Sequence, residues 1–103
     1  MTDNRTSTRH AVSFSVSVTI AGMPPVAAKL VNLSLGGALI ETGSTHTIGQ
    51  RMKIAFTIPT IDDVIEVGAT VRWSDGAGVG LQFDGLRAQD VWALNEYFKQ
   101  LAR

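Results

Sequence analysis

The sequence predicts an all-β domain, an antiparallel barrel or sandwich of about six short strands followed by one helix. Two observations carry this prediction. Runs of alternating apolar and polar residues recur along the chain, separated by Gly, Pro, Asn and Asp. The C-terminal segment changes to a spacing of three and four, which is typical of an amphipathic helix. A chain of 103 residues has the size of one such domain.

The first half of the chain predicts three strands. Residues 12–20 alternate strictly, with Val, Phe and Ile on one face and Ser and Thr on the other. The stretch "AGMPP" predicts a turn, because Pro24 and Pro25 fix their own backbone angles and donate no ladder hydrogen bond. A second strand is expected over residues 27–35, and a short third strand in "ALIET".

The second half predicts three more strands and the helix. Residues 52–58 and 65–73 alternate in the same way, and a hairpin at "SDGAG" returns the chain through residues 79–83. In "AQDVWALNEYFKQLA" the apolar positions recur every three or four residues, so this segment is expected to form a helix that covers an open end of the barrel. Trp73 shares parity with Val71 and is expected inside, and Trp92 is expected in the core or at its rim.

The composition excludes several functional classes. Nine basic and nine acidic residues cancel, which argues against a protein that holds long nucleic acid through a broad positive field. The absence of cysteine excludes disulfides, thiolate catalysis and cysteine-based zinc sites. No segment resembles a signal peptide or a membrane span, so a cytoplasmic protein is expected. His10 and His46 show no metal-ligand spacing and are expected at the surface, and we expect no metal and no cofactor.

The stretch "NLSLGG" interrupts the regular alternation. On an extended strand Asn32 and Ser34 share one face, and Leu33 points the other way. Gly36 and Gly37 permit positive φ and allow another molecule to approach the backbone closely. The stretch is read either as a polar ledge for a ligand or as a strand that ends in a glycine turn, with Asn and Ser capping loose backbone groups.

A parity conflict lies just before that stretch. If Leu33 faces the core, Lys29 on the same strand would face it too. A charged side chain is not buried without a partner, so a bulge or bend is expected between the two residues.

Two arginines precede the first strand. Arg5 and Arg9 are separated by "TST", and each guanidinium offers a planar fork that can hold a phosphate or the O6/N7 edge of guanine. They would supply the positive charge that a small anion needs. The alternative is an exposed arm whose arginines only favour solubility.

"RTSTR" ahead of one strand and "NLSLGG" at the end of the next resemble the paired signature of the PilZ domain family, RxxxR followed by D/N-x-S-x-x-G. "TVRWSDGAGVGLQF" is similar to the late hairpin of that family. The resemblance implies a six-stranded antiparallel barrel that binds cyclic di-GMP, often as a stacked pair of molecules. Residues 1–9 would then be a flexible arm that carries the first motif, and residues 10–103 the barrel with its C-terminal helix.

The resemblance also implies the roles of single residues. Arg5 and Arg9 would hold the guanines and phosphates, and the second motif would hold the opposite side of the ligand through these residues: Asn32, Ser34, Gly36 and Gly37. Asn32 replaces the commoner aspartate and can still exchange hydrogen bonds with a guanine edge. The implied function is a receptor whose arm reorients on binding and signals to an unidentified downstream protein, without nucleic acid polymer and without membrane insertion.

Three other functions stay open. An enzyme could use His10, Ser34 and Asp75 as a triad, although their spacing does not single them out. An interaction adaptor with the PilZ fold would have lost the ligand, but adaptors of this kind typically lose one of the two motifs. A barrel that binds single-stranded nucleic acid would need exposed aromatic residues on a basic face, whereas Trp73 and Trp92 are expected to pack.

Overall fold

Six antiparallel strands close into a barrel, and one helix follows. The computed structural model describes residues 9–43, 46–59, 64–76 and 78–101. The elements are β1 (His10–Thr19), β2 (Val26–Leu33), β3 (Gly37–Glu41), β4 (Arg51–Phe56), β5 (Ile65–Ser74), β6 (Val79–Phe83) and α1 (Ala88–Leu101). The strand order around the barrel is β1-β2-β3-β6-β5-β4. The prediction of a six-stranded barrel with a C-terminal helix is confirmed.

The core is built from the inward-facing half of each strand. Apolar side chains at alternating positions are removed from water, which is the main force that holds the barrel closed. The largest fully buried side chains of the strands are Leu30, Leu33, Ile40, Ile54, Ile65, Val71 and Val79. Strand alternation therefore predicted most of the core correctly.

A bulge in β2 resolves the parity conflict between Lys29 and Leu33. Leu30 and Leu33 are both 0% exposed although they lie three residues apart. The pairing of β2 with β3 shifts between Leu30 and Asn32, so that Val31 is the extra residue. Lys29 consequently stays exposed, and the predicted irregularity is confirmed.

A second bulge lies in β5. Val71 pairs with Leu81, but Trp73 pairs with Gly80, so that Arg72 is the extra residue on β5. The bulge reverses the parity of the strand end and turns Trp73 outward, where it is 40% exposed. The expectation that Trp73 packs inside is therefore wrong.

The turn between β1 and β2 forms before the two prolines rather than at them. The amide of Met23 donates to the carbonyl of Ile20 at 2.9 Å, and Gly22 has a φ of 82°. That left-handed conformation favours glycine, which explains why "AGMPP" turns at Gly22. The turn was predicted in the right place, but the prolines do not make it.

Helix α1 packs its apolar face against the start of β1. Ala93, Leu94, Tyr97 and Phe98 are buried, and the Tyr97 ring contacts Phe14 at a centroid distance of 5.7 Å. Trp92 is 61% exposed, so the expectation that it lies in the core or at its rim is wrong. Within the described ranges, no helix has the length and apolar character that a membrane span requires.

The ladder between β1 and β4 is short. β1 pairs with β2 from His10 to Val18, with one irregularity, but it pairs with β4 only at Ser17, Val18 and Thr19. The first half of β1 is therefore held in the barrel mainly from one side.

Candidate functional site

A pocket of about 320 Å³ opens on the outside of the barrel, where the β2–β3 loop meets β5 and β6. It is lined by Arg9, Ser34, Gly36, Gly37, Arg72, Trp73, Gly80, Leu81 and Gln82. The fold thus brings the end of the predicted arm and three residues of the second motif to one place. Of the other two candidates, Arg5 lies outside the described residues and Asn32 does not line the pocket.

Two arginines give the pocket its charge. Arg9 directly precedes β1, and Arg72 is the bulge residue of β5; both are exposed. Among the described residues, neither guanidinium has a carboxylate within salt-bridge distance. Two cations that are not neutralised by a neighbour favour an anionic ligand. Elsewhere in the described part of the chain, no three His, Asp or Glu side chains gather as metal ligands.

Ser34 shapes the loop that forms one wall of the pocket. It lies just past the end of β2, is 5% exposed, and does not share a strand face with Asn32. Its Oγ accepts from the amides of Gly36 at 3.2 Å and Gly37 at 3.1 Å, and the hydroxyl lies 3.2 Å from the Gly37 carbonyl, to which it donates. The single hydroxyl proton is therefore used within the loop, as in the capping alternative.

Gly37 is required by the barrel itself. A Cβ at this position would overlap the carbonyl oxygen of Leu81 on the neighbouring strand β6. Neither Gly36 nor Gly37 adopts a positive φ, so the expected left-handed conformation at the glycine pair is wrong. The glycine at position 37 serves the close approach of β3 to β6.

Asn32 carries an unusual polar atom. Its Oδ1 is buried and has no hydrogen-bond partner among the residues that the structure describes, whereas most buried acceptors have one. Leaving such a group unpaired costs about 1–3 kcal/mol. Asn32 pairs with Ala11 on β1, two residues after Arg9, so the free acceptor lies where the predicted arm joins the barrel.

Five lining residues were not proposed from the sequence as site residues, namely Arg72, Trp73, Gly80, Leu81 and Gln82. The bulge in β5 brings the first two to the pocket, and no alternation pattern reveals it. The available signal was the pair of glycines in "GVG", because glycine inside a strand often marks a site where another group approaches closely.

Comparisons with known proteins agree with this architecture. The sequence profile of the PilZ domain matches residues 3–100. The structure of the Bacillus subtilis inhibitor of motility (MotI/DgrA) superimposes with a TM-score of 0.79 at 21% sequence identity, covering 99% of this chain and 54% of that one. The PilZ domain of CeSA from a cellulose-synthesizing bacterium gives 0.72 at 16% identity, covering 91% and 98%. No curated protein matches the sequence.

The two structural matches show the fold alone, since their sequence identities are low, and this chain spans about half the length of the motility inhibitor. The profile match is evidence of family membership, because it covers nearly the whole chain and includes both predicted motifs. The chain therefore belongs to the PilZ domain family, a family of domains that bind cyclic di-GMP.

Proposed function

We propose that this chain is a cyclic di-GMP receptor and that the pocket beside the β2–β3 loop holds the ligand. The observation that carries the proposal is the convergence of Arg9, Arg72 and Trp73 with the exposed main chain of Gly36. Cyclic di-GMP combines two phosphate charges with two flat guanines. Such a ligand calls for forked cations, a stacking plane and close backbone, which these residues offer together.

The arginines suit both parts of the ligand. A guanidinium can bind a phosphate through two parallel hydrogen bonds, or the O6 and N7 atoms of a guanine in the same way. The chain has no net charge, which is compatible with a small anion because only one compact site needs to be positive. Arg5 would add a further fork when the arm closes over the ligand.

Trp73 offers a plane for a guanine. Trp73 is 40% exposed and lines the pocket together with the two arginines and Gln82. Stacking of a base on an aromatic side chain is worth about 1–3 kcal/mol in proteins that bind single strands. The amide of Gln82 can exchange hydrogen bonds with a guanine edge or a ribose hydroxyl.

Asn32 is proposed to bind at the arm side of the ligand. Its buried Oδ1 lacks a donor among the described residues, and the N1–H and N2–H groups of guanine are donors. Binding would then remove the cost of an unpaired acceptor in addition to forming a new hydrogen bond. Ser34, in contrast, is proposed to act by holding the Gly36 backbone in place.

The proposed activity, in the cytoplasm, is binding without turnover. Binding is followed by a reorientation of the arm that a downstream protein recognises. The described lining of the pocket offers cations, an indole and amides, and none of its side chains is a carboxylate, imidazole or thiol that could act as a general base. Incubation of the chain with cyclic di-GMP, followed by chromatography of the recovered nucleotide, should return the ligand unchanged.

Isothermal titration of the purified chain with cyclic di-GMP tests the proposal. We expect saturable binding by the wild type, loss of binding in Arg9→Ala and a strong reduction in Arg5→Ala, because one bidentate fork is worth about 1–3 kcal/mol. Lys53→Ala is the matched control, since Lys53 is an exposed cation of β4 that does not line the pocket. Near-wild-type affinity in both arginine variants, with normal circular dichroism, would overturn the proposal.

A further inference from the structure

We infer that Gly80 is a positioning residue for the ligand site, because its bare main chain is the seat on which the Trp73 indole lies. The inference rests on the proposed function for its consequence, since a correctly placed indole is what would stack on a guanine. The seat itself is a property of the folded chain and can be tested without ligand.

The contact between the two residues is very close. Gly80 on β6 pairs with Trp73 on β5. A Cβ built on Gly80 would overlap the indole Nε1 and would lie 2.5 Å from Cε2 and 2.7 Å from Cδ1, distances that real Cβ atoms do not adopt. The five-membered ring of the indole therefore occupies the volume that any other residue at position 80 would need.

The burial of Gly80 supports the same contact with Trp73. Gly80 alternates with Val79 and Leu81, which face the core, so position 80 faces outward. It is nevertheless buried. Because the nearest side-chain atoms above it all belong to Trp73, the indole accounts for this burial.

The bulge at Arg72 is the second part of the arrangement. Without the extra residue, Trp73 would follow the parity of Val71 into the core. With it, Arg72 and Trp73 are both exposed and both line the same pocket, although they are adjacent in sequence. The bulge turns the indole outward, and Gly80 allows it to lie against the sheet at the pocket wall.

The role of Gly80 differs from that of Gly37. At Gly37 the atoms that an added Cβ would meet belong to the backbone of β6, which cannot yield. At Gly80 the three nearest atoms all belong to one side chain, which can rotate away. We therefore expect Gly80→Ala to fold and to displace the indole from its seat.

A double-mutant cycle with cyclic di-GMP tests this inference. Gly80→Ala and Trp73→Ala should each lower the affinity by a similar factor, roughly 5- to 150-fold for one stacked base, and the double variant should be no weaker than Trp73→Ala alone. Gly76→Ala is the matched control, because it lies in the same hairpin and its added Cβ meets nothing within 4 Å. It should bind as the wild type does.

A second measurement uses no ligand. The chain has two tryptophans, so Trp92→Phe leaves Trp73 as the only source of tryptophan emission. In that background Gly80→Ala should shift the emission to longer wavelength and increase quenching by acrylamide, and Gly76→Ala should change neither. This result supports the contact between the indole and the Gly80 main chain even if the wild type fails to bind cyclic di-GMP. In that case only the proposed function is overturned.

Other outcomes decide the inference in either direction. Unchanged Trp73 emission in Gly80→Ala overturns it. An affinity loss from Gly80→Ala that is equally large in the Trp73→Ala background also overturns it, because strand β6 would then require the glycine whether or not the indole is present. If Gly80→Ala unfolds the chain, restored folding in the double variant supports the inference. Unfolding of the double variant as well overturns it.

Discussion

The imidazole of His10 lies face to face on the ring of Phe98, with centroids 4.0 Å apart and planes inclined by 16°. His10 is the first residue of β1 and directly follows Arg9, which lines the pocket. Phe98 belongs to the buried face of α1. His10, which was expected at the surface, is half-buried, and its ring joins the arm side of the pocket to the helix.

His10→Ala should destabilise the fold. The stacked pair is worth about 0.5–1.5 kcal/mol beyond the area it buries. Urea unfolding followed by circular dichroism measures the loss, and Ser15→Ala is the control because Ser15 is an exposed residue of the same strand. Equal stabilities of the two variants would show that the stack contributes nothing.

Gly37→Ala should prevent normal folding rather than remove binding alone. The added methyl group would overlap the Leu81 carbonyl oxygen and force β3 away from β6. Circular dichroism and the dispersion of the amide NMR spectrum detect this, and Gly76→Ala is the tolerated control. A variant that folds as stably as the wild type but loses cyclic di-GMP would instead assign Gly37 to the ligand.

Arg87→Ala should cost about 1–3 kcal/mol of stability, because it leaves the carboxylate of Asp90 buried without its ion pair. Asp90 is 2% exposed and accepts from Arg87 Nε at 2.9 Å and Nη2 at 3.0 Å. The loss is expected to be no larger because the Arg87 side chain is 55% exposed and water screens the pair.

The matched control for that variant is Lys99→Ala. Lys99 forms an exposed pair with Glu96 on the same helix, also three residues apart, which is worth at most about 0.5 kcal/mol. Thermal unfolding of both variants compares them directly. If they lose the same amount, burial of Asp90 does not matter to the helix.

Stability should fall at alkaline pH through Tyr97. Burial raises the pKa of the Tyr97 phenol above its ordinary value of 10.0, because the interior penalises the charged form. The raised pKa means that this contribution is fully present below pH 10.0 and is lost as the pH rises through the folded-state pKa. Tyr97→Phe should lack this loss.

Ultraviolet absorbance provides the measurement, since the chain contains one tyrosine and the tyrosinate signal reports Tyr97 alone. The midpoint in the folded protein should lie above that in urea. A folded midpoint at or below the urea value contradicts the prediction.

The fold was predictable because strand alternation and helix periodicity indicate which side chains are buried. Val16 and Val18 on β1, and Leu94 and Phe98 on α1, are buried as their spacing predicts. The bulge in β2 was predictable as well, since Lys29 and Leu33 could not both face the core.

The bulge in β5 left no such conflict. A tryptophan at position 73 is acceptable inside a barrel, so the pattern favoured the wrong face, and Arg72 was missed along with it. Close approach between strands is equally invisible in a sequence, so the need for glycine where β3 meets β6 at Gly37 was not predicted. Arg9 lies at the pocket, as its position directly before β1 suggested. The order of the two motifs along the chain follows the order of the strands, so this much could be predicted.

The short seam between β1 and β4 has a dynamic consequence. From His10 to Val16 the backbone of β1 lacks a β4 partner, so this stretch can detach without opening the rest of the ladder. Its amides should exchange with deuterium well before those of β5, which pairs with neighbours on both sides. The part of the cylinder that opens most easily thus adjoins the arm. A ligand bound there would reduce the conformational entropy of the chain more than a ligand bound elsewhere on the barrel.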